Sequence, residues 1–126
     1  MAVSYHFLTH AVQMDVIDVF TADDIVNAMQ DIMRDPRAAK GVKLLANIQH
    51  ADAAKVRTDQ IKLGTYRALP LFPFFDNRIV LVVRSELQFG LSRMFQMYAD
   101  HYGVQVTIFK SVDAAYEFIQ EPCDRA

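Results

Sequence analysis

A single cysteine, Cys123, among 126 residues excludes an intrachain disulfide framework and a cysteine metal cluster. A lone thiol makes a reducing cytoplasm the expected compartment. Glycine and proline number four each. That leaves no flexible linker and no low-complexity segment, as suits one compact domain. The longest purely apolar run, Ile79 to Val83, falls far short of the roughly 20 residues of a membrane span. Met1 to His10 has neither the basic region nor the apolar run of a signal peptide, so no targeting is expected. Neither charge dominates, with 13 basic against 15 acidic side chains and a net charge of -2. No bulk field therefore draws nucleic acid. Phosphate-binding loops, dinucleotide glycine patterns and Gly-x-Ser-x-Gly elbows are missing as well, so no cofactor is expected.

What the chain does have is apolar mass. Hydrophobic residues make up 52% and charged ones 22%, the balance of a globular chain. Its length predicts one domain over 1–126, with 121–126 expected to fray.

Alternation predicts a strand over Ser4 to Leu8 and another from Val12, whose period breaks at Val16-Ile17-Asp18-Val19-Phe20, as at a bulge. Their closeness predicts an antiparallel hairpin. Thr21 with Asp24 forms a capping box, and Ile25, Met29, Ile32 and Met33 follow at helical spacing until Asp35-Pro36. Val42 to Ile48, except for Lys43 and Asn47, and Ile79 to Val83 are apolar on both faces, as in central parallel strands. Between them lie a polar loop, Gln49 to Arg57, and a helix, Thr58 to Leu69, with Thr58 as its expected cap and Ile61, Tyr66 and Leu69 near one face. Ser85 and Gln88 form a second capping box. The helix they open carries Leu87, Leu91, Met94, Phe95, Tyr98 and Tyr102, and stops at Gly103. Val104, Val106 and Ile108 read as an edge strand; Ser111 caps a last helix closed by Pro122. The predicted class is α/β: an N-terminal β-hairpin followed by αβαβαβα, with a mostly parallel five-stranded sheet packed by helices.

Candidate chemistry is sparse. His6, His10, His50 and His101 lack the i, i+4 spacing of a helical metal pair, and no metal site is expected. In open parallel sheets ligands settle at the strand C-terminal ends. There the sequence places His50, Asp52, Thr58, Arg84, Ser85, Lys110 and Ser111, with Ser85 and Ser111 opening helices whose N–H groups could hold an anion. A small enzyme using this crevice is one reading. The most unusual segment is Leu69-Pro-Leu-Phe-Pro-Phe-Phe75. Connections are usually polar, so these rings either fold back onto the core or form an apolar patch. The patch reading makes Leu71, Phe72, Phe74 and Phe75 the interface of a homodimer.

Arg78-Ile-Val-Leu-Val-Val-Arg-Ser-Glu-Leu-Gln-Phe-Gly-Leu-Ser-Arg-Met-Phe95 and Gly103-Val-Gln-Val-Thr-Ile-Phe-Lys-Ser-Val-Asp-Ala-Ala-Tyr-Glu-Phe-Ile119 resemble a family of small, mostly uncharacterised bacterial proteins with the SpoIIAA-like, or STAS-like, fold. The resemblance implies a non-catalytic regulatory or protein-interaction module. Some STAS domains are switched by phosphorylation in an Asp-Ser motif followed closely by Gly. Gln49 to Thr58 has neither Ser nor Gly, so that phosphosite does not carry over; position alone makes Thr58 a candidate phosphoacceptor, beside its expected role as a cap. The fold is also similar to that of CRAL-TRIO lipid-transfer proteins, which makes a carrier of a small apolar or lipid-like ligand the alternative.

Overall fold

The computed structural model describes residues 2–120. Cys123, Pro122 and the expected frayed tail lie outside them. Five strands form one sheet in chain order: β1 (Val3–Phe7), β2 (Ala11–Asp18), β3 (Lys43–Ala51), β4 (Arg78–Val82) and β5 (Gln105–Phe109). The hairpin β1–β2 is antiparallel, and every later neighbour pair is parallel. The register slips between Asp15 and Ile17, where the apolar period breaks. Asp18 then takes a left-handed conformation, φ 58°, and ends the strand. β3 and β4 are interior to the sheet, with Leu44, Leu45 and Ala46 and all of Ile79 to Val83 buried. β3 also runs on to Ala51, and a 3₁₀ turn at Ala53–Lys55 follows. The expected polar loop is therefore partly strand.

Four helices pack on the sheet: α1 (Ala22–Arg34), α2 (Thr58–Ala68), α3 (Glu86–His101) and α4 (Val112–Gln120). Thr21 caps α1 reciprocally with Asp24: the Asp24 N–H donates to Thr21 Oγ1 at 3.2 Å and the Thr21 N–H to Asp24 Oδ2 at 2.9 Å. Ser85 and Gln88 do the same for α3, and Ser111 Oγ accepts the Ala114 N–H at 3.2 Å. Gly103 stands at φ 79° just past α3, where a side chain would be strained. Thr58 is not a cap. It is the first residue of α2, and Gln60 Oε1 instead accepts the N–H of the capping residue, Arg57, at 3.1 Å.

Crossovers of one hand, stepping in one direction across a sheet, deliver their helices to one face. α1, α2 and α3 share such a face. Its core joins Met14, Val16, Met29, Ile32, Ala46, Leu81 and Ala99. α4 covers part of the other face with Ala115 and Ile119, against Ala11, Leu45, Val80 and Val82.

Candidate functional site: an apolar cavity under α2 and α3

The strand-end residues are brought to one end of the sheet, and none of them lines the cavity described below. A ligand crevice in an open α/β sheet arises where the strand order reverses, so that neighbouring loops splay to opposite faces. Here β2 to β5 follow chain order without reversal, and the expected crevice has no physical origin. Its residues are spent locally. Asp52 Oδ1 accepts the Ala54 N–H at 3.1 Å, and the Ser85 and Ser111 hydroxyls cap their helices. Lys110 stands 3.7 Å from Glu86 and over the Phe89 ring. His50, Thr58 and Arg84 are exposed. Gln88 closes this end from within. Its Nε2 donates to the carbonyls of Gln49 and Ala51, both at 3.1 Å, and its Oε1 accepts the N–H groups of Arg84 at 2.7 Å and Ser85 at 3.2 Å.

The aromatic segment also departs from its expected role. Phe72 and Phe75 are each 1% exposed. They belong to the core and are unavailable to an interface; Leu71 and Phe74 are half-buried. Pro73 starts a short 3₁₀ turn over Phe72–Phe75, and two left-handed residues, Asp76 and Asn77, reverse the chain into β4. That geometry aims Phe72 toward Phe95, with ring centroids 6.2 Å apart, and sets Phe74 edge-on to Phe75. The Gly41 N–H donates to the Phe74 carbonyl at 2.7 Å and ties the segment to the start of β3. Turning inward removes more apolar area from water than any exposed arrangement of the same rings.

The notable space is elsewhere. A cavity of about 170 Å³ lies between the sheet and the three helices. Its floor is Met14, Ala46, Ile79 and Leu81, and its roof is α2 and α3. The cause is side-chain size. α2 turns Ile61, Gly64, Thr65 and Ala68 inward, a helical face of mostly short side chains. α3 turns Gln88, Ser92 and Phe95 inward. These faces sit about one position away from the stripes expected for the two helices. Tyr66 on α2 and Leu87 and Tyr102 on α3 are exposed instead. α2 leans on its flanking helices α1 and α3, and Gly64 approaches Ala22 so closely that a Cβ there would lie 3.3 Å from the Ala22 methyl. Short residues facing a sheet from a helix held at its flanks leave a void.

The lining carries no ionisable side chain. Of its few polar groups, Thr65 Oγ1 donates to the Ile61 carbonyl at 2.8 Å, and Gln88 is fully bonded as described. Ser92 Oγ is buried without a partner. No element of the sequence reading singled out this cavity. The signal was there in Gln88 and Ser92 at i, i+4 on α3 and in Gly64, Thr65 and Ala68 on α2.

Titratable groups sit away from it. Among the described residues no group of three or more His, Cys, Asp or Glu could hold a metal ion. His6 pairs with Asp15 at 3.3 Å. On the sheet's other face Tyr116 donates to Gln13 Oε1 at 2.5 Å, and Lys43 donates to the Ile119 carbonyl. Asp35 accepts from Arg37 Nε at 3.0 Å, from the Arg37 backbone N–H at 2.9 Å and from the Tyr5 hydroxyl at 3.0 Å. The guanidinium, above all, holds the Asp35 carboxyl well below the usual carboxylate range.

A sheet wound in one direction, with a leading hairpin, three helices on one face and one on the other, defines the SpoIIAA-like fold, and this chain has it. A crystal structure of an uncharacterized protein of the DUF3478 family with a SpoIIAA-like fold, from Shewanella loihica PV-4, superposes with a TM-score of 0.62. The match covers 94% of this chain and 92% of that one at 11% sequence identity, so the likeness is one of fold alone. No protein-family model and no curated protein matches the sequence. Among the described residues no helix is long and apolar enough to cross a membrane.

Proposed function

We propose that this chain is a non-catalytic binding module that holds a small apolar molecule in the cavity under α2 and α3. The observation that carries the reading is a cavity of about 170 Å³ lined almost wholly by apolar side chains. An apolar cavity of roughly 150 Å³ in another protein stays dry and takes up benzene. Catalysis by such a lining would need an acid or base, and it has neither. A regulatory role fits the same architecture. Leu63, Tyr66, Met97 and Tyr102 are exposed on the outer faces of the helices that roof the cavity, where a protein partner or a second copy of the chain would sense how the roof is seated. Native mass spectrometry of freshly purified protein, with toluene titration followed by amide NMR, tests the binding reading. A retained small molecule, or toluene shifts centred on Ala46, Ala68 and Phe95, supports it. No retained mass and no shifts up to toluene saturation overturn it. Light scattering on wild type and a Met97→Glu variant tests the second reading: a dimer that the variant dissociates supports self-association through this surface.

A further inference from the structure

We infer that this chain carries a second binding site, for one carboxylate monoanion, at the N-terminal ends of β3, β4 and β5. A pocket of about 230 Å³ opens there, walled by Lys43, Arg78, Gln105 and Thr107 and by Phe118 and Ile119 of α4. The strand register puts its two cations side by side. Lys43 and Arg78 each stand one pleat before the paired residues Leu45 and Val80, so both project from the face of the sheet that α4 covers. Neighbouring strands lie about 5 Å apart, and like charges at such a spacing repel. Among the described residues neither cation has an ion pair. Asp76 lines the same pocket but pairs with neither. Lys43 is half-buried and gives one ammonium proton to the Ile119 carbonyl; its other two are left for a ligand.

The lining sets the ligand's class. Two cations against the single carboxylate of Asp76 leave one positive charge in excess, so the occupant that neutralises the pocket is a monoanion. A guanidinium presents parallel N–H donors that match a planar carboxylate. Gln105 pairs laterally with Arg78 and Thr107 with Val80, which adds neutral donors to the same wall. Phe118 is 43% exposed and offers an apolar surface to the body of the acid. The pocket's 230 Å³ exceeds the roughly 150 Å³ that admits benzene, so a ring with its carboxylate fits. The class is a small monocarboxylic acid with an apolar body. The site is independent of the cavity under α2 and α3, whose lining carries no ionisable group.

Binding of benzoate, benzamide and sulfate is followed by amide NMR at constant ionic strength on wild type, Lys43→Met and Arg78→Gln, with urea unfolding to confirm that each variant is folded. Benzoate shifts are expected at Lys43, Arg78, Gln105 and Phe118, and not at Ala46, Ala68 and Phe95 of the other cavity. Each variant should weaken benzoate about tenfold, the low end for a hydrogen bond to a charged group, and benzamide should bind wild type about tenfold more weakly than benzoate. If either variant holds benzoate within about twofold of wild type, the paired-cation site is overturned. Benzamide binding as tight as that of benzoate overturns the carboxylate, and sulfate binding as tight overturns the monoanion. No benzoate shift at these four amides up to its solubility limit overturns the inference outright. The chain's own Glu121 and Asp124 are the other source of a carboxylate, and a double variant, Glu121→Gln with Asp124→Asn, separates the two. Unchanged benzoate affinity assigns the site to a free acid; a gain of about tenfold or more assigns it to the chain itself and overturns the external ligand. Toluene binding under α2 and α3 stands or falls separately.

Discussion

Replacing Ala46 with isoleucine decides whether the space under α2 and α3 is real. Ala46 lies at the middle of β3, 4% exposed, paired laterally with Met14 and Leu81, and all three line the cavity floor. Isoleucine adds three carbons and suits a strand better than alanine. If those carbons enter empty space, they gain about 0.8 kcal/mol each, or about 2 kcal/mol together. For a domain of this length that raises Tm by roughly 6–10 °C. The same atoms in a filled core would force neighbours off their rotamers and lose about 1–3 kcal/mol. The two cases differ in sign, so the test does not depend on a precise magnitude. Urea unfolding with an unchanged m-value is the assay. A stabilised Ala46→Ile protein that has lost toluene binding by tenfold or more fits the cavity. A destabilised one with the same m-value refutes the reasoning, because it shows that the floor of the site is already packed.

Four further outcomes are expected. Gln88→Ala strips partners from two carbonyls and two N–H groups at the buried end of the sheet, and should lose about 3 kcal/mol in urea unfolding; a loss below about 1 kcal/mol would mean that water replaces the amide freely. Phe72→Ala should lose about 3–5 kcal/mol with the scattering mass unchanged, whereas a stable variant with an altered mass would return the ring to an interface. Ser85→Ala should lose about 1 kcal/mol through its cap, read by the same unfolding curves. Asp35→Asn should be less stable than wild type near neutral pH. The Asp35 carboxyl is held below its unfolded-state value near 4 by Arg37, so its contribution is present above that pH and is lost as pH falls toward the folded value. The gap between the two proteins should narrow steadily below about pH 4; a constant gap down to pH 2 would contradict the assigned cause.

Legibility from the sequence tracked how local each determinant is. The central strands are written in apolar runs, broken only by Lys43 and Asn47 in the first, and Thr21, Ser85 and Ser111 announce their helices because a cap involves only four residues. Thr58 failed as a cap, since Arg57 with Gln60 serves at the preceding position. The direction of Phe72 and Phe75 was not legible, because a run of rings and prolines has no period to assign a face. It took the left-handed pair Asp76–Asn77 to turn them inward. The strand-end crevice was a general rule applied to a topology that lacks the reversal the rule needs. The cavity could not be read locally at all. It is the difference between the height at which α1 and α3 hold α2 and the reach of Gly64, Thr65, Ala68 and Ser92.

That difference argues for use. A pocket of about 170 Å³ leaves the apolar side chains around it without part of their packing partners, a cost set by how far the surrounding structure can collapse. Domains as a rule have only about 5–15 kcal/mol to spare. Closing the space needs little: one larger side chain at Ala46 or Ala68 would reach into it, and neither position has a backbone conformation that demands alanine. An occupant present at a hundredfold over its dissociation constant would add about 2.7 kcal/mol of stability. An occupant that enters this space is therefore expected to raise the unfolding midpoint of wild type and to leave that of Ala46→Ile unchanged.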